Sequence, residues 1–172
     1  TGFRFFEPER DLSWNEHLAI IADNVRKDKI DFVVIDNFSY LTSVSKNSYE
    51  TERVAAKSLK GLAQELEIPI LVLAHLRKPD KDDREPTPTV HTVLGSGAIT
   101  QVASDAFILH HPLEPDSEEN SRQEVGYLLS GKPRWGKGGK RYVRLDGGKR
   151  AYGPASAGEY NVSGRRKRNE VF

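Results

Sequence analysis

Asp36 closes the apolar run Phe32-Val33-Val34-Ile35, and His75 closes a second one, Ile70-Leu71-Val72-Leu73-Ala74. A carboxylate just beyond a buried strand can hold Mg2+ against nucleotide phosphates, directly or through water. An acidic residue after a short apolar run is the pattern of a Walker B strand, though it equally suits a residue that starts a turn. A histidine at a strand end can report on a bound polar group, or be satisfied by nearby backbone. Two such residues ending consecutive strands say more than either alone.

Charge follows His75 at once: Arg77, Lys78, Asp80, Lys81, Asp82, Asp83 and Arg84. Residues 77–85 hold four basic and four acidic side chains, so the stretch is not a basic patch in net terms. It reads as a solvated loop or as a loop with placed cations, since phosphate contacts depend on particular cations and not on net charge. Gly95-Ser96-Gly97 comes next, and further on Lys132-Pro133-Arg134-Trp135-Gly136-Lys137-Gly138-Gly139, a glycine-rich turn bearing cations.

The elements that must position these groups are legible in the pattern. Phe3 to Phe6 reads as a short strand. Ser13-Trp14-Asn15-Glu16 is a capping box, and Leu18, Ile21, Ala22 and Val25 recur behind it at helical spacing. The spacing of Ala55, Leu59, Leu62, Ala63 and Leu66 predicts a second amphipathic helix over 49–67. The continuous apolar runs ending at Asp36 and near His75 are expected to be strands buried on both faces. A short helix over 98–103 and a strand over 106–110 follow. Strands alternating with helices imply a parallel sheet with right-handed crossovers, in which ligands bind beyond the carboxyl ends of the strands. Residues 126–130 and 141–145 read as antiparallel strands at one edge. Residues 1–154 are therefore expected to be one domain, and 155–172, ending near Arg165-Arg166-Lys167-Arg168, a polar basic tail without fixed structure.

Bulk properties remove other classes. A chain of 172 residues with 37% hydrophobic and 30% charged side chains can bury a real core. Its net charge of +1 gives no long-range pull on nucleic acid, so any such contact must be local. The absence of cysteine excludes a disulfide framework and a cysteine zinc site, and fits a reducing compartment. No apolar run approaches membrane-spanning length, and no signal peptide is visible. The chain starts at Thr1 and lacks methionine, which leads us to expect a processed chain or a fragment.

Four segments in order, "DFVVIDNFSYL", "ETERVAAKSLKGLAQELEIPILVLAHLRKPDK", "LGSGAITQVASDAFILHH" and "GKPRWGKGG", resemble the helicase domain of the RecA-fold ring helicases. The likeness is to the phage primase-helicases and mitochondrial Twinkle, and more distantly to bacterial DnaB, and covers about residues 30–140. It implies an α/β, RecA-like, mostly parallel sheet flanked by helices, with antiparallel strands at the C-terminal edge. It implies an ATP-dependent DNA helicase that uses Mg2+ and ATP (or dTTP), translocates on single-stranded DNA and assembles as a hexameric or heptameric ring. By the resemblance Asp36 holds the metal and nucleotide, and His75 senses the γ-phosphate. Arg77, Lys78, Lys81, Gly95 and Ser96 face DNA, the glycine letting backbone amides approach a phosphate. Lys132 and Arg134 reach the neighbouring subunit's nucleotide as companion cation and arginine finger. The resemblance also sets His111 near the nucleotide base, and Tyr152 is either a stacking aromatic or core. It favours the cytoplasm of a bacterial or phage-infected cell over a mitochondrial matrix.

No Gly-x-x-x-x-Gly-Lys-Ser/Thr occurs in the sequence. The P-loop and the family's catalytic carboxylate are accordingly expected before Thr1, and these 172 residues alone are expected not to hydrolyse ATP. Two other readings stand beside the helicase motor. One is a non-catalytic RecA-fold module for DNA binding or assembly. The other is a RecA/RadA- or RepA-like ATPase.

Overall fold

A computed structural model describes residues 2–7, 11–39, 48–76, 88–89, 92, 98–112, 124–132 and 138–160. The chain forms two compact units: residues 1–77 with 93–103, and residues 78–92 with 104–172. Among the described residues no helix is long and apolar enough to cross a membrane.

The first unit is built from two helix-to-strand passages. Helix α1 (Trp14–Asp28) starts at the capping box read from the sequence. The Ser13 backbone N–H donates to Glu16 Oε2 at 2.7 Å and the Glu16 N–H returns to Ser13 Oγ at 3.4 Å, so two orphan donors of the first turn are satisfied. Arg26 and Lys27 sit in its last turn, where cations suit the helix dipole. The helix stops because Lys29 turns left-handed (φ 52°) and Ile30 N–H donates back to the Val25 carbonyl. The chain then extends as β1 (Val33–Ile35).

Helix α2 (Ser48–Glu65) ends the same way. Glu67 is left-handed (φ 56°), Ile68 N–H donates to the Ala63 carbonyl, and β2 (Ile70–Val72) follows. Arg26 Nη2 meets Glu65 Oε1 at 2.5 Å, side by side at the carboxyl ends of the two helices. Strands β1 and β2 pair in parallel, Val33 with Ile70 and Ile35 with Val72.

The core lies on one face of this ladder. Trp14, Ile35, Phe38, Ala55, Ala56 and Leu59 are buried together, with Val33, Ile70 and Val72 packed against them. Trp14 meets Phe38 edge to face at 6.1 Å. Ile99 and Val102 of α3 (Ala98–Val102) join the same cluster. The other face differs from expectation: Phe32, Val34, Leu71 and Leu73 are 42–52% exposed. The helices α1 and α2 take only one side of a period-two strand, so the both-sided burial implied by continuous apolar runs is not realised within the described residues. Phe3, Phe5 and Phe6 are also exposed, and residues 2–7 form no strand, contrary to the sequence reading. An apolar run becomes a strand only where a neighbour supplies its ladder.

The second unit is an antiparallel meander of β3 (Ala106–His110), β4 (Val125–Lys132), β5 (Lys140–Asp146) and β6 (Ala151–Pro154). Residues 106–110, the next strand in the parallel reading, pair antiparallel with β4. The register skips Gly131, placing a bulge just before Lys132. Gly126 is required by packing: a Cβ there would lie 2.3 Å from the His110 carbonyl oxygen and 2.8 Å from the His111 ring. Strand β6 was not foreseen, although Asp146-Gly147-Gly148 is a hairpin signal. Residues 157–160 form a helical turn. The tail expected from 155 onward therefore begins as folded chain, and residues 161–172 lie outside the described residues.

Candidate nucleotide site at the strand ends

The β1–β2 ladder continues beyond the strands. Leu73 N–H donates to the Ile35 carbonyl at 2.9 Å and Phe38 N–H donates to the Leu73 carbonyl at 3.0 Å. This pairing carries Asp36 and Asn37 alongside Leu73 and Ala74. Phe38, 1% exposed, seats its ring in the core and fixes the exit of the chain. The peptide bond between Asp36 and Asn37 is cis.

Asp36 and His75 thus stand at the carboxyl ends of neighbouring parallel strands, both at the surface. Between them Asn37 donates its side-chain Nδ2 to Nε2 of His75 at 3.0 Å. A ring accepting at Nε2 carries its proton on Nδ1. Sequence reasoning missed Asn37, and its place next to the strand-end carboxylate was the available signal.

Asp36 has no hydrogen bond or ion pair among the described residues, which leaves its carboxylate available at the edge. No group of three or more His, Cys, Asp or Glu residues clusters at metal-binding distance among the described residues. One available carboxylate is a donor set that fits Mg2+, an ion that keeps several waters and is bound by one or two carboxylates with substrate phosphates. The residues present fit the ion on that ground.

Lys132 ends β4 in the second unit. His111 follows β3 with its ring 5.6 Å from that of Tyr152 on β6, which is 49% exposed. Gly131, Gly136 and Lys137 reproduce the glycine and lysine spacing of a P-loop, with Gly138 in place of Ser or Thr. The segment joins two antiparallel strands, however, and no helix N-terminus follows it to receive a phosphate. It is not a P-loop. Arg77, Lys78, Lys81, Gly95, Ser96 and Arg134 lie outside the described residues.

The chain is an α/β protein whose parallel ladder brings a carboxylate and a histidine to its carboxyl edge, the edge at which open α/β sheets generally bind ligands. The comparison with known proteins narrows that class. Residues 5–152 match the DnaB-like helicase C terminal domain, and the chain belongs to this family. The sequence reading placed DnaB as the more distant likeness, and it is the family that matches. The replicative DNA helicase DnaB of Mycoplasma pneumoniae is 28% identical over 121 residues, which cover 67% of this chain and 25% of the relative. A probable plasmid replicative DNA helicase of Chlamydia trachomatis is 30% identical over 114 residues, 63% of this chain and 25% of the relative. The chain spans about a quarter of the length of these curated relatives. One solved structure, an ATPase domain, superposes with a TM-score of 0.68 at 20% identity, over 84% of this chain and 52% of that one. A DnaB-like replicative helicase, solved in a study of its interactions with primase, gives 0.63 at 19% identity over 78% and 33%. A KaiC-like protein of Pyrococcus horikoshii gives 0.56 at 14% identity, over 83% of this chain and 57% of that one. These likenesses fix the fold as RecA-like α/β, with a parallel ladder and antiparallel strands toward the C-terminus.

Proposed function

We propose that this chain is the C-terminal part of a replicative DNA helicase motor, coupling nucleotide hydrolysis at subunit interfaces to movement on single-stranded DNA. The supporting observation is the Asn37–His75 hydrogen bond, which joins the strand end bearing Asp36 to the strand end that runs directly into Arg77, Lys78 and Lys81. In this reading Asp36 holds Mg2+ on ATP or dTTP, and the ion neutralises charge on the phosphates when bound. His75 hydrogen-bonds the terminal phosphate region. Arg77, Lys78 and Lys81, with the backbone at Gly95 and Ser96, contact DNA phosphates. Lys132 and Arg134 act on the nucleotide of the next subunit in a hexameric or heptameric ring, in the cytoplasm of a bacterial or phage-infected cell.

Coupling follows from chain connectivity. A group responding to the phosphate lies two residues from the first group placed for DNA, so a shift of His75 moves the root of the charged segment. The alternative of a non-catalytic assembly module predicts no loss when Asp36 is neutralised. The test is Asp36→Asn in the full-length protein, read by Mg2+-dependent ATP hydrolysis and by strand displacement from a forked duplex. Loss of both, by about 10²-fold or more in hydrolysis, is expected. Hydrolysis and unwinding at the unaltered rate would overturn the motor reading.

A further inference from the structure

Lys140 opens β5 immediately after the cation-bearing turn, paired with Leu129 on β4. One rung nearer the turn, Ser130 N–H donates to the Gly139 carbonyl at 2.9 Å, and this closes the stem. Counted along the sequence, Lys140 looks like one more cation of the turn, with Lys132, Arg134 and Lys137. Its side chain does otherwise. Tyr142 shares its strand face, and Tyr127 lies opposite Tyr142. The Lys140 ammonium sits 4.0 Å from the centroid of the Tyr127 ring and 6.0 Å from those of Tyr142 and Tyr160.

The rings themselves are braced. Tyr127 is 1% exposed, and Tyr160 packs against both Tyr127 and Tyr142 at 5.9 and 5.2 Å. Tyr160 ends the helical turn 157–160. Ser156 N–H donates to Glu159 Oε2 at 2.7 Å in a second capping arrangement, and Glu159 pairs with Arg144 of β5. Lys140 has no ion pair among the described residues. Its charge is held by aromatic faces.

We propose that Lys140 is a positioning residue for the β4–β5 turn: its ammonium, framed by Tyr127, Tyr142 and Tyr160, fixes the root from which Lys132 and Arg134 are presented. The proposal rests on the reading of those two cations as acting across a subunit boundary. With its ammonium 4.0 Å from the Tyr127 ring, Lys140 acts in this proposal through the stem that it braces. One contact ties β4, β5 and the 157–160 turn together where the stem meets the turn, and the bulge at Gly131 lies beside it.

The experiment uses the full-length protein with Lys140→Met, Lys140→Arg and Arg134→Ala. Each is read by DNA-stimulated kcat, KM for ATP and thermal midpoint. Lys140→Met keeps chain length and removes charge, and should lower kcat at least about tenfold with KM within about twofold and an unchanged midpoint. Lys140→Arg keeps a cation on the rings and should restore most of kcat. If Arg134→Ala abolishes turnover while Lys140→Met leaves kcat within about twofold, the positioning role is overturned and the motor reading stands. If Arg134→Ala leaves turnover intact, the reading of the turn's cations as acting across a subunit boundary is overturned, and the positioning role falls with it. Unfolding of Lys140→Met, or a midpoint that falls in step with kcat, would make Lys140 a stability element and likewise overturn the proposal.

Discussion

Asn37 and His75 are joined by a 3.0 Å hydrogen bond that crosses from the end of one parallel strand to the end of the next. The contact exists because the ladder holds its register past Ile35 and Val72, with Phe38 and Leu73 bonded to each other beyond the strands proper. A strand-end histidine is thereby held by a side chain adjacent to the metal-binding candidate.

Removing that link should separate nucleotide binding from its consequence. In the full-length protein Asn37→Ala should leave ATP affinity within a few-fold and reduce DNA-stimulated hydrolysis by about 10-fold or more, with basal hydrolysis changing less. Asn37→Asp offers an acceptor where a donor stood, so the contact can form only with a proton on Nε2. The neutral ring supplies that proton in its other tautomer, so Asn37→Asp should retain more DNA-stimulated hydrolysis than Asn37→Ala. Steady-state rates with and without DNA for the two variants decide this. Equal stimulation by DNA in wild type and Asn37→Ala would return the contact to a packing role.

Asp36 and His75 were legible because each ends an apolar run, a signal carried by consecutive residues. The capping box at Ser13 and Glu16 was legible for the same reason. Asn37 was not, because its role depends on the cross-strand register that brings it to His75. Lys140 drew no reading from the sequence, because its contact depends on the strand face it shares with Tyr142 and on Tyr127 across the ladder. The exposed face of Phe32, Val34, Leu71 and Leu73 shows the opposite limit. The continuous apolar run marks what a strand can bury, while the number of layers in the described chain decides what it does bury.

The start of α1 gives a stability prediction with a definite sign. Ser13→Ala removes the cap and should cost about 1 kcal/mol. Glu16 accepts from the Ser13 side chain and backbone, and these bonds hold its carboxyl below the ordinary 4.5. Its folded value is thus lower than its unfolded value. The stabilisation is present above about pH 4.5 and is lost as pH falls through the lowered folded value. Glu50, beside Arg53, and Glu159, capped by Ser156, shift the same way. Thermal midpoints from about pH 3 to pH 7 should show a shallower acid decline for Glu16→Gln than for wild type. Parallel curves would remove the cap carboxylate from the acid response.

The charged segment after β2 should be read by salt. Arg77→Ala or Lys81→Ala in the full-length protein should weaken single-stranded DNA binding and flatten its salt dependence. The expected change is about 0.7 in log–log slope for each phosphate that the variant no longer neutralises. DNA titrations by fluorescence anisotropy over a range of salt concentrations give the slope directly. Asp82→Asn, at an acidic position in the same segment, should not reduce the slope. Unchanged titrations for both cation variants would make the segment a solvated surface loop.

Arg134 separates a motor that works between subunits from a RecA-fold scaffold. A finger acting in trans leaves its own subunit's nucleotide site intact, so Arg134→Ala should bind ATP nearly normally. It should lose most turnover, on the order of 10³-fold. Arg134→Lys should recover little, since an ammonium lacks the planar fork that grips phosphate oxygens. The decisive measurement mixes Arg134→Ala subunits with Asp36→Asn subunits, each inactive alone. In a mixed ring some interfaces pair an intact Asp36 with an intact Arg134, and those interfaces should hydrolyse ATP. Hydrolysis should rise on mixing, peak at intermediate ratios, and depend on co-assembly shown by differently tagged subunits. Co-assembled rings that remain inactive at every ratio, under conditions where isolated interfaces can turn over, would show that Arg134 does not serve the neighbouring site.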